Sequence, residues 1–82
     1  MTYNIAINIM PLKDLLDPQG KAVLAGLHNL GISKAIDVRI GKRIVIQIEA
    51  SSEEEAISNA KLASEKLLAN QVMEQFEISV IA

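Results

Sequence analysis

The side chains that could do chemistry in this chain are few and poorly arranged for catalysis. His28 is the single histidine and there is no cysteine, so one chain cannot assemble a histidine metal cluster, a thiolate site or a disulfide. Glu53, Glu54 and Glu55 follow Ser52, a pattern typical of a capped helix start whose acids complement the helix dipole. The nearby serines have no base placed beside them. The residue types therefore predict no active site of this chain's own, and no bound metal or cofactor.

Phosphate and nucleic-acid binding are also disfavoured. Gly41 is followed by the cation Lys42, but a P-loop needs a longer glycine-rich turn that leads from a strand into a helix. Tyr3 and Phe76 are the aromatic residues, and both fall on the core side of predicted strands, where they cannot stack on bases. The formal net charge of −2 gives no basic footprint for nucleic acid. What remains is an interaction or binding module.

Alternating apolar residues and helix signals define the elements of the first half. Residues 3–10 alternate as a strand that Pro11 ends, because proline cannot donate to a ladder. Asp17 and Pro18 are placed as the N-cap and first residue of a helix. Apolar residues recur at helical spacing from Val23 until Gly31, which fits the left-handed position just past a helix end.

The second half begins with two more alternating segments, residues 36–40 and 44–49. Gly41-Lys42-Arg43 alone separates them, which predicts a tight antiparallel hairpin. A helix then starts at Ser52 and is expected to stop near Asn70, and residues 76–81 alternate as a fourth strand. The buried stripe of this helix is predicted to comprise Ala56, Ala60, Ala63 and Leu67.

The element order β-α-β-β-α-β predicts an α+β fold of the ferredoxin-like class. Right-handed crossovers would place both helices on one face of a four-stranded antiparallel sheet. The length and the absence of linkers predict a single domain over residues 1–82. No apolar run has the length of a membrane span and no signal-peptide pattern is present, so a cytoplasmic location is expected.

The sheet face without helices is predicted to be a contact surface between copies of this chain. It carries apolar side chains among Asn4, Asn8, Gln47 and Ser79, which makes it too apolar for a solvated face and too polar for a core. Simple exposure is the alternative. The apolar side chains of this predicted open face are Ala6, Met10, Val45 and Ile81.

Four short motifs, in order and covering nearly the whole chain, resemble the PurS family, the small subunit of phosphoribosylformylglycinamidine synthase. Gln71 is a departure, because the family usually has proline after the last motif. The motifs are Leu16-Asp17-Pro18-Gln19-Gly20, Leu30-Gly31, Val38-Arg39-Ile40-Gly41-Lys42 and Leu67-Leu68-Ala69-Asn70.

The resemblance implies a function in de novo purine biosynthesis. Members of the family belong to a three-part synthase in which a large subunit binds ATP and formylglycinamide ribonucleotide, and a glutaminase subunit releases ammonia. The small subunit bridges the two without an active site, and the complex, not this chain, uses ATP and Mg. Family members form dimers or dimers of dimers, and neither nucleic acid nor a membrane is an expected partner. A stand-alone dimeric regulatory domain that binds a small molecule is the alternative.

Contacts to the large subunit, or within the oligomer, are predicted at two of the motifs. Long cations at a hairpin and a small residue at a helix start are suited to contact with a partner. The alternative is that these residues are only a helix cap and a hairpin. The predicted contact residues are Asp17, Pro18, Gln19, Gly20, Arg39, Gly41 and Lys42.

Overall fold

A computed structural model describes residues 1–81 of the chain. It is an α+β arrangement of three strands and two α-helices, the second of which continues into a π-helical turn. In chain order these elements are β1 (Thr2–Pro11), α1 (Pro18–Asn29), β2 (Lys42–Glu49), α2 (Glu53–Ala63), the π-helical turn (Ser64–Leu68) and β3 (Glu74–Ile81).

The sheet is antiparallel, with β1 between β2 and β3. The central strand supplies the core, since Ile5, Ile7 and Ile9 are buried on the face that α2 covers. Ala56 and Ala60 of α2 are fully buried against them. Because alanine adds little bulk, it lets the helix approach the sheet closely.

The observed strands β1, β2 and β3 confirm the strands predicted over residues 3–10, 44–49 and 76–81.

The predicted fourth strand over residues 36–40 is not part of the sheet, and the predicted hairpin is absent. The chain runs from Ala35 into β2 without a turn or bend, and Gly41 does not have a positive φ. The backbone N–H of Ile40 is donated to the Asp17 carboxylate instead of to a neighbouring strand. The Asp17 side chain thus accepts the hydrogen bond that the alternating pattern assigned to a neighbouring strand.

The prediction that both helices cover the sheet is correct only for α2. This helix packs on all three strands, whereas α1 makes no comparable contact with any of them. Val23 is 43% exposed and Leu30 is 77% exposed, although both belong to the apolar face of α1. The amphipathic pattern correctly identified the helix, but the sheet does not cover the apolar face of that helix.

The predicted stripe of α2 is correct for its first half and wrong at Leu67, which is 81% exposed. The helix changes to π geometry after Ala63, with the Ala69 N–H bonded to the Ser64 carbonyl. Ser64 continues the buried face of Ala56 and Ala60, and the extra residue in the turn after it shifts this face so that Leu68 packs against the core in place of Leu67. The Ser64 hydroxyl donates to the Ala60 carbonyl at 2.8 Å, which satisfies it inside the helix.

The predicted helix ends are confirmed in detail. Asp17 caps α1 with Pro18 at the first helical position, and Ser52 accepts from the Glu55 N–H at the start of α2. Gly31 lies just past α1 with φ +90°, the left-handed conformation that glycine adopts without strain. No helix within residues 1–81 has the length and apolar character needed to cross a membrane.

Candidate functional site

Two of the sequence motifs, far apart along the chain, meet at the start of α1. One oxygen of the Asp17 carboxylate accepts from the Gly20 N–H at 2.9 Å, and the other accepts from the Ile40 N–H at 2.9 Å. These bonds favour the ionised form: the Gly20 and Ile40 N–H groups, followed by the charge of Arg39, lower the pKa of Asp17. Asp17 therefore caps a helix and joins the motif of residues 38–42 to the motif of residues 16–20.

Arg39 ties the same region to the end of β1. One terminal nitrogen of its guanidinium donates to the carbonyls of Pro11 and Leu12, at 2.9 and 2.8 Å. Its Nε lies 3.9 Å from Asp17 Oδ2, which is close enough for charge attraction but too far for a hydrogen bond. Arg39 thus satisfies two carbonyls at the point where β1 ends.

Glycine is required at two positions because the backbone segments lie very close together. A Cβ on Gly20 would overlap the carbonyl oxygen of Val38, and one on Gly41 would overlap the Met10 sulfur and the Ile9 carbonyl. Neither glycine has a positive φ, so close approach and not conformational freedom explains both. We call the cluster of Asp17, Gly20, Arg39, Ile40 and Gly41 the clasp.

The motif of residues 67–70 reaches the same end of the molecule. The Leu12 N–H donates to the Met73 carbonyl at 2.9 Å, which brings the turn after the π-helical segment beside the clasp. Leu16 is 67% exposed there, and Met73 is also exposed. They line an open groove of about 290 Å³ whose walls are Pro11, Leu15, Leu16, Asn70, Met73 and Glu74.

A second open groove, of about 240 Å³, lies on the other side of the clasp. Gln19 and Lys42 line it together with Glu74, and the Lys42 ammonium lies 3.9 Å from the Glu74 carboxylate. We call the exposed residues Leu16, Gln19, Lys42 and Met73, together with the half-buried Glu74, the rim.

The structure thus divides the predicted contact residues of the two motifs into two groups. Asp17, Gly20, Arg39 and Gly41 make the contacts within the chain that form the clasp. Pro18, Gln19 and Lys42 are exposed. Sequence reasoning missed Leu16 and Met73 as surface-forming residues. For Leu16, the sequence signal was the apolar pair Leu15 and Leu16 directly before a helix cap, at positions that no predicted core includes.

The four residues predicted on the open face occupy one side of the sheet but differ in exposure. Ala6 is paired with Val45 and Ser79 in the central strand and is fully buried between its neighbours. Val45 is 54% exposed on the edge strand, Met10 is exposed and Ile81 is half-buried. The accessible apolar surface of this face is therefore carried by Val45 and Met10 more than by Ala6.

Chemically reactive groups are sparse in the part of the chain that is described. His28 is exposed, and its ring Nε2 lies 2.8 Å from the Ala35 carbonyl. Among residues 1–81, no three side chains of histidine, cysteine, aspartate or glutamate come together in a way that could hold a metal ion. The arrangement is suited to contact with other polypeptides, through the rim of the clasp and through the open sheet face.

The chain is a small α+β domain whose most patterned residues form the clasp and part of the rim beside it. The comparisons with known proteins then define it: the family model for PurS, phosphoribosylformylglycinamidine (FGAM) synthase, matches residues 4–82. The chain belongs to the PurS family, as the four motifs indicate.

Relatives and solved structures agree with this assignment. The chain is 37% identical over 78 residues to the synthase subunit PurS of Bacillus subtilis, covering 95% of this chain and 92% of the relative. It is 42% identical over 62 residues to the PurS subunit of Archaeoglobus fulgidus, covering 76% and 78%.

Two solved structures are similar over almost their whole length. The B. subtilis PurS structure superposes with a TM-score of 0.86 at 36% identity, covering 98% of this chain and 99% of that chain. A chain in the structure of PurLQS from Thermotoga maritima superposes with a TM-score of 0.91 at 28% identity, covering 99% of both chains.

Proposed function

We propose that this chain is the non-catalytic bridging subunit of a three-part phosphoribosylformylglycinamidine synthase. The complex converts formylglycinamide ribonucleotide to formylglycinamidine ribonucleotide with ATP, Mg and glutamine, in the cytoplasm. The observation that carries the proposal is the match, over 99% of both chains, to a chain of the T. maritima PurLQS structure. This chain assists assembly and the transfer of ammonia between the glutaminase and synthetase subunits.

The rim is the surface we assign to the larger subunits. Its apolar groove, with Leu16 and Met73 exposed, offers the kind of side chains that anchor an interface. The neighbouring groove adds a cation, an acid and an amide at Lys42, Glu74 and Gln19, which suits the polar edge of such a contact. The clasp behind the rim fixes the positions of these residues because its ties are to backbone groups.

The open sheet face is the surface we assign to self-association, giving a dimer or a dimer of dimers. Val45 is more than half exposed on a strand, where a branched apolar side chain is otherwise packed. Met10 lies on the same side of the sheet. The alternative of a stand-alone regulatory domain is not favoured, because the match to a PurLQS chain points to a synthase subunit.

Reconstitution tests the proposed function. The chain is mixed with the synthetase and glutaminase subunits from the same organism, and product formation is measured with glutamine and with ammonium as the nitrogen source. We expect the glutamine-dependent rate to require this chain and the ammonium-dependent rate not to require it. A glutamine-dependent rate that is the same without the chain would refute the bridging role.

Substitution of Lys42 tests the rim. Lys42→Ala should leave the free chain folded but reduce its retention in the three-subunit complex on size-exclusion chromatography. Lys66→Ala is the matched control, because Lys66 is an exposed lysine outside the rim. Equal retention of the two variants would remove Lys42 from the interface without affecting the proposed function itself.

A further inference from the structure

An open pocket of about 370 Å³ borders the clasp and is separate from the two grooves of the rim. Its cations are Lys13, Lys21 and Arg39, which come from the loop after β1, the start of α1 and the segment before β2. Three separate segments thus bring positive side chains to one cavity. We call it the Arg39 pocket.

The guanidinium of Arg39 is fixed in place and still has donors to offer. Its Nη2 donates to the carbonyls of Pro11 and Leu12, which holds the side chain at the wall of the pocket. Its Nη1 makes no hydrogen bond within residues 1–81 and is reached by solvent, whereas Nε is buried there without a partner. A fixed cation with accessible N–H groups is preorganised for an oxyanion.

The two lysines of the pocket carry charges that the chain does not use. Among residues 1–81, the ion pairs involve Arg39, Lys42 and Lys61, so the ammonium groups of Lys13 and Lys21 have no carboxylate partner there. Both side chains are exposed. Long, exposed and uncompensated cations attract an approaching negative group.

Three aspartates also line the pocket, and they restrict what it can bind. Asp17 accepts from the Gly20 and Ile40 N–H groups, and Asp37 accepts from the Val38 N–H at 2.9 Å. Their charges disfavour a free phosphate dianion more than a single carboxylate. A carboxylate on a polypeptide that is already bound nearby also has a high effective concentration, which a free ion lacks.

The Arg39 pocket is continuous with the surface assigned to the larger subunits. Leu15 and Leu16 line both this pocket and the apolar groove of the rim. Leu16 is 67% exposed and Leu15 is 37% exposed between the two cavities. A polypeptide that covers Leu16 therefore lies at the mouth of the pocket as well.

We propose that a carboxylate side chain of the larger subunit that covers the rim enters the Arg39 pocket and pairs with Arg39, while Lys13 and Lys21 attract it during approach. The inference rests on the proposed function and adds the chemistry of one partner residue, an aspartate or a glutamate. The fixed guanidinium holds the carboxylate in the formed complex, whereas the exposed lysines raise the association rate.

Removing the two lysine charges tests the proposal. The double variant Lys13→Gln/Lys21→Gln should remain folded, because both side chains are exposed. Its association rate with the synthetase and glutaminase subunits, measured by biolayer interferometry at low salt, should fall about tenfold. The difference from wild type should shrink at about 0.5 M salt, where charges more than about 5 Å apart are screened.

The matched control is Lys61→Gln/Lys66→Gln, which removes the same charge from exposed positions on α2 and the π-helical turn. This variant should associate at the wild-type rate. Equal association rates of the two double variants would overturn the proposal. In that case, glutamine-dependent activity that still requires the wild-type chain would leave the proposed function standing.

A zero-length cross-link identifies the partner residue. A water-soluble carbodiimide activates a carboxylate, and a neighbouring lysine amine displaces the activating group to form an amide bond. In the assembled complex, mass spectrometry should find Lys13 or Lys21 joined to an aspartate or glutamate of a larger subunit, and Lys66 not joined to one. Cross-links of Lys13 and Lys21 confined to Asp14 or Asp37 of the same chain would overturn the proposal.

Inorganic phosphate tests the competing occupant, a free oxyanion. Arg39 and Arg43 are the arginines of this chain, so in Arg43→Lys the remaining arginine Nε–H signal in a nitrogen-15 NMR spectrum belongs to Arg39. We expect this signal to keep its position when millimolar phosphate is added to the free chain. A saturable shift at submillimolar phosphate would assign the pocket to a free oxyanion and overturn the proposal.

Discussion

Alanine substitution of two glycines in the same helix should change the stability of the chain in opposite directions. Gly26 has no atom within 4 Å of the position a Cβ would take, so Gly26→Ala adds a side chain without displacing anything. Replacing glycine by alanine inside a helix stabilises it by about 0.5–1 kcal/mol. At Gly20 the Cβ would overlap the Val38 carbonyl oxygen and lie 2.8 Å from Asp17 Oδ2.

The magnitude follows from what must move at Gly20. The obstacle is backbone held by the Asp17–Ile40 hydrogen bond, so it cannot move aside as a flexible side chain would. Overpacking of this kind costs about 1–3 kcal/mol. Since the gain in helix propensity is shared by both variants, the difference between Gly20→Ala and Gly26→Ala isolates this cost.

Urea unfolding monitored by far-ultraviolet circular dichroism measures the free energy of unfolding of both variants. Amide hydrogen exchange shows whether any loss is confined to α1 and the residues it contacts. We expect Gly26→Ala to be more stable than wild type and Gly20→Ala to be less stable, with reduced protection in the first turn of α1. A Gly20→Ala variant as stable as Gly26→Ala would refute the close approach of α1 to residues 38–40.

Three further predictions concern the clasp and the core. Because the pKa of Asp17 is lowered in the fold, its ionised carboxylate contributes stability that is fully present above the ordinary pKa of 3.8 and is lost as the pH falls through the lowered pKa. Urea titrations from pH 6 to pH 3 should show this loss in wild type but not in Asp17→Asn. Arg39→Ala should lower the free energy of unfolding by about 1.5–3 kcal/mol in the same assay, since two carbonyls lose a charged donor. Lys42→Ala, which removes an exposed ion pair, should lower it by less than about 1 kcal/mol. Equal losses would show that the Arg39 bonds contribute nothing. Ile7→Ala should cost about 2–5 kcal/mol, because a fully buried side chain of the central strand leaves a cavity; a loss below 1 kcal/mol would contradict its place in the core.

The elements could be predicted from sequence because their signals are local. Alternation over residues 3–10 and 44–49, the Asp17–Pro18 start and the Gly31 end each depend on a few neighbouring residues. The error at Leu67 has a different origin. Helical spacing assumes a constant number of residues per turn, and the π-helical turn breaks that assumption within one helix.

The placement of residues 36–40 could not be predicted from the same kind of pattern. Alternation shows that a segment is suited to a sheet, but it does not say which sheet or which chain. The decisive contacts, from Asp17 to the Ile40 N–H and from Gly41 to Met10, join residues that are far apart in sequence. The candidate site was therefore found in part. Its motifs were identified, but their division into a clasp and a rim depends on tertiary contacts.

The clasp connects the sequence motifs to the shape of the molecule. Arg39 holds the carbonyls where β1 ends, and Asp17 holds the backbone one residue before Gly41, so the segment before β2 leaves the sheet in one fixed direction. A freely hinged segment would lose conformational entropy on binding any partner, whereas a fixed segment has already lost it. Asp17 and Arg39, which the sequence predicted as partner contacts, thus act within the chain by fixing how the segment before β2 leaves the sheet.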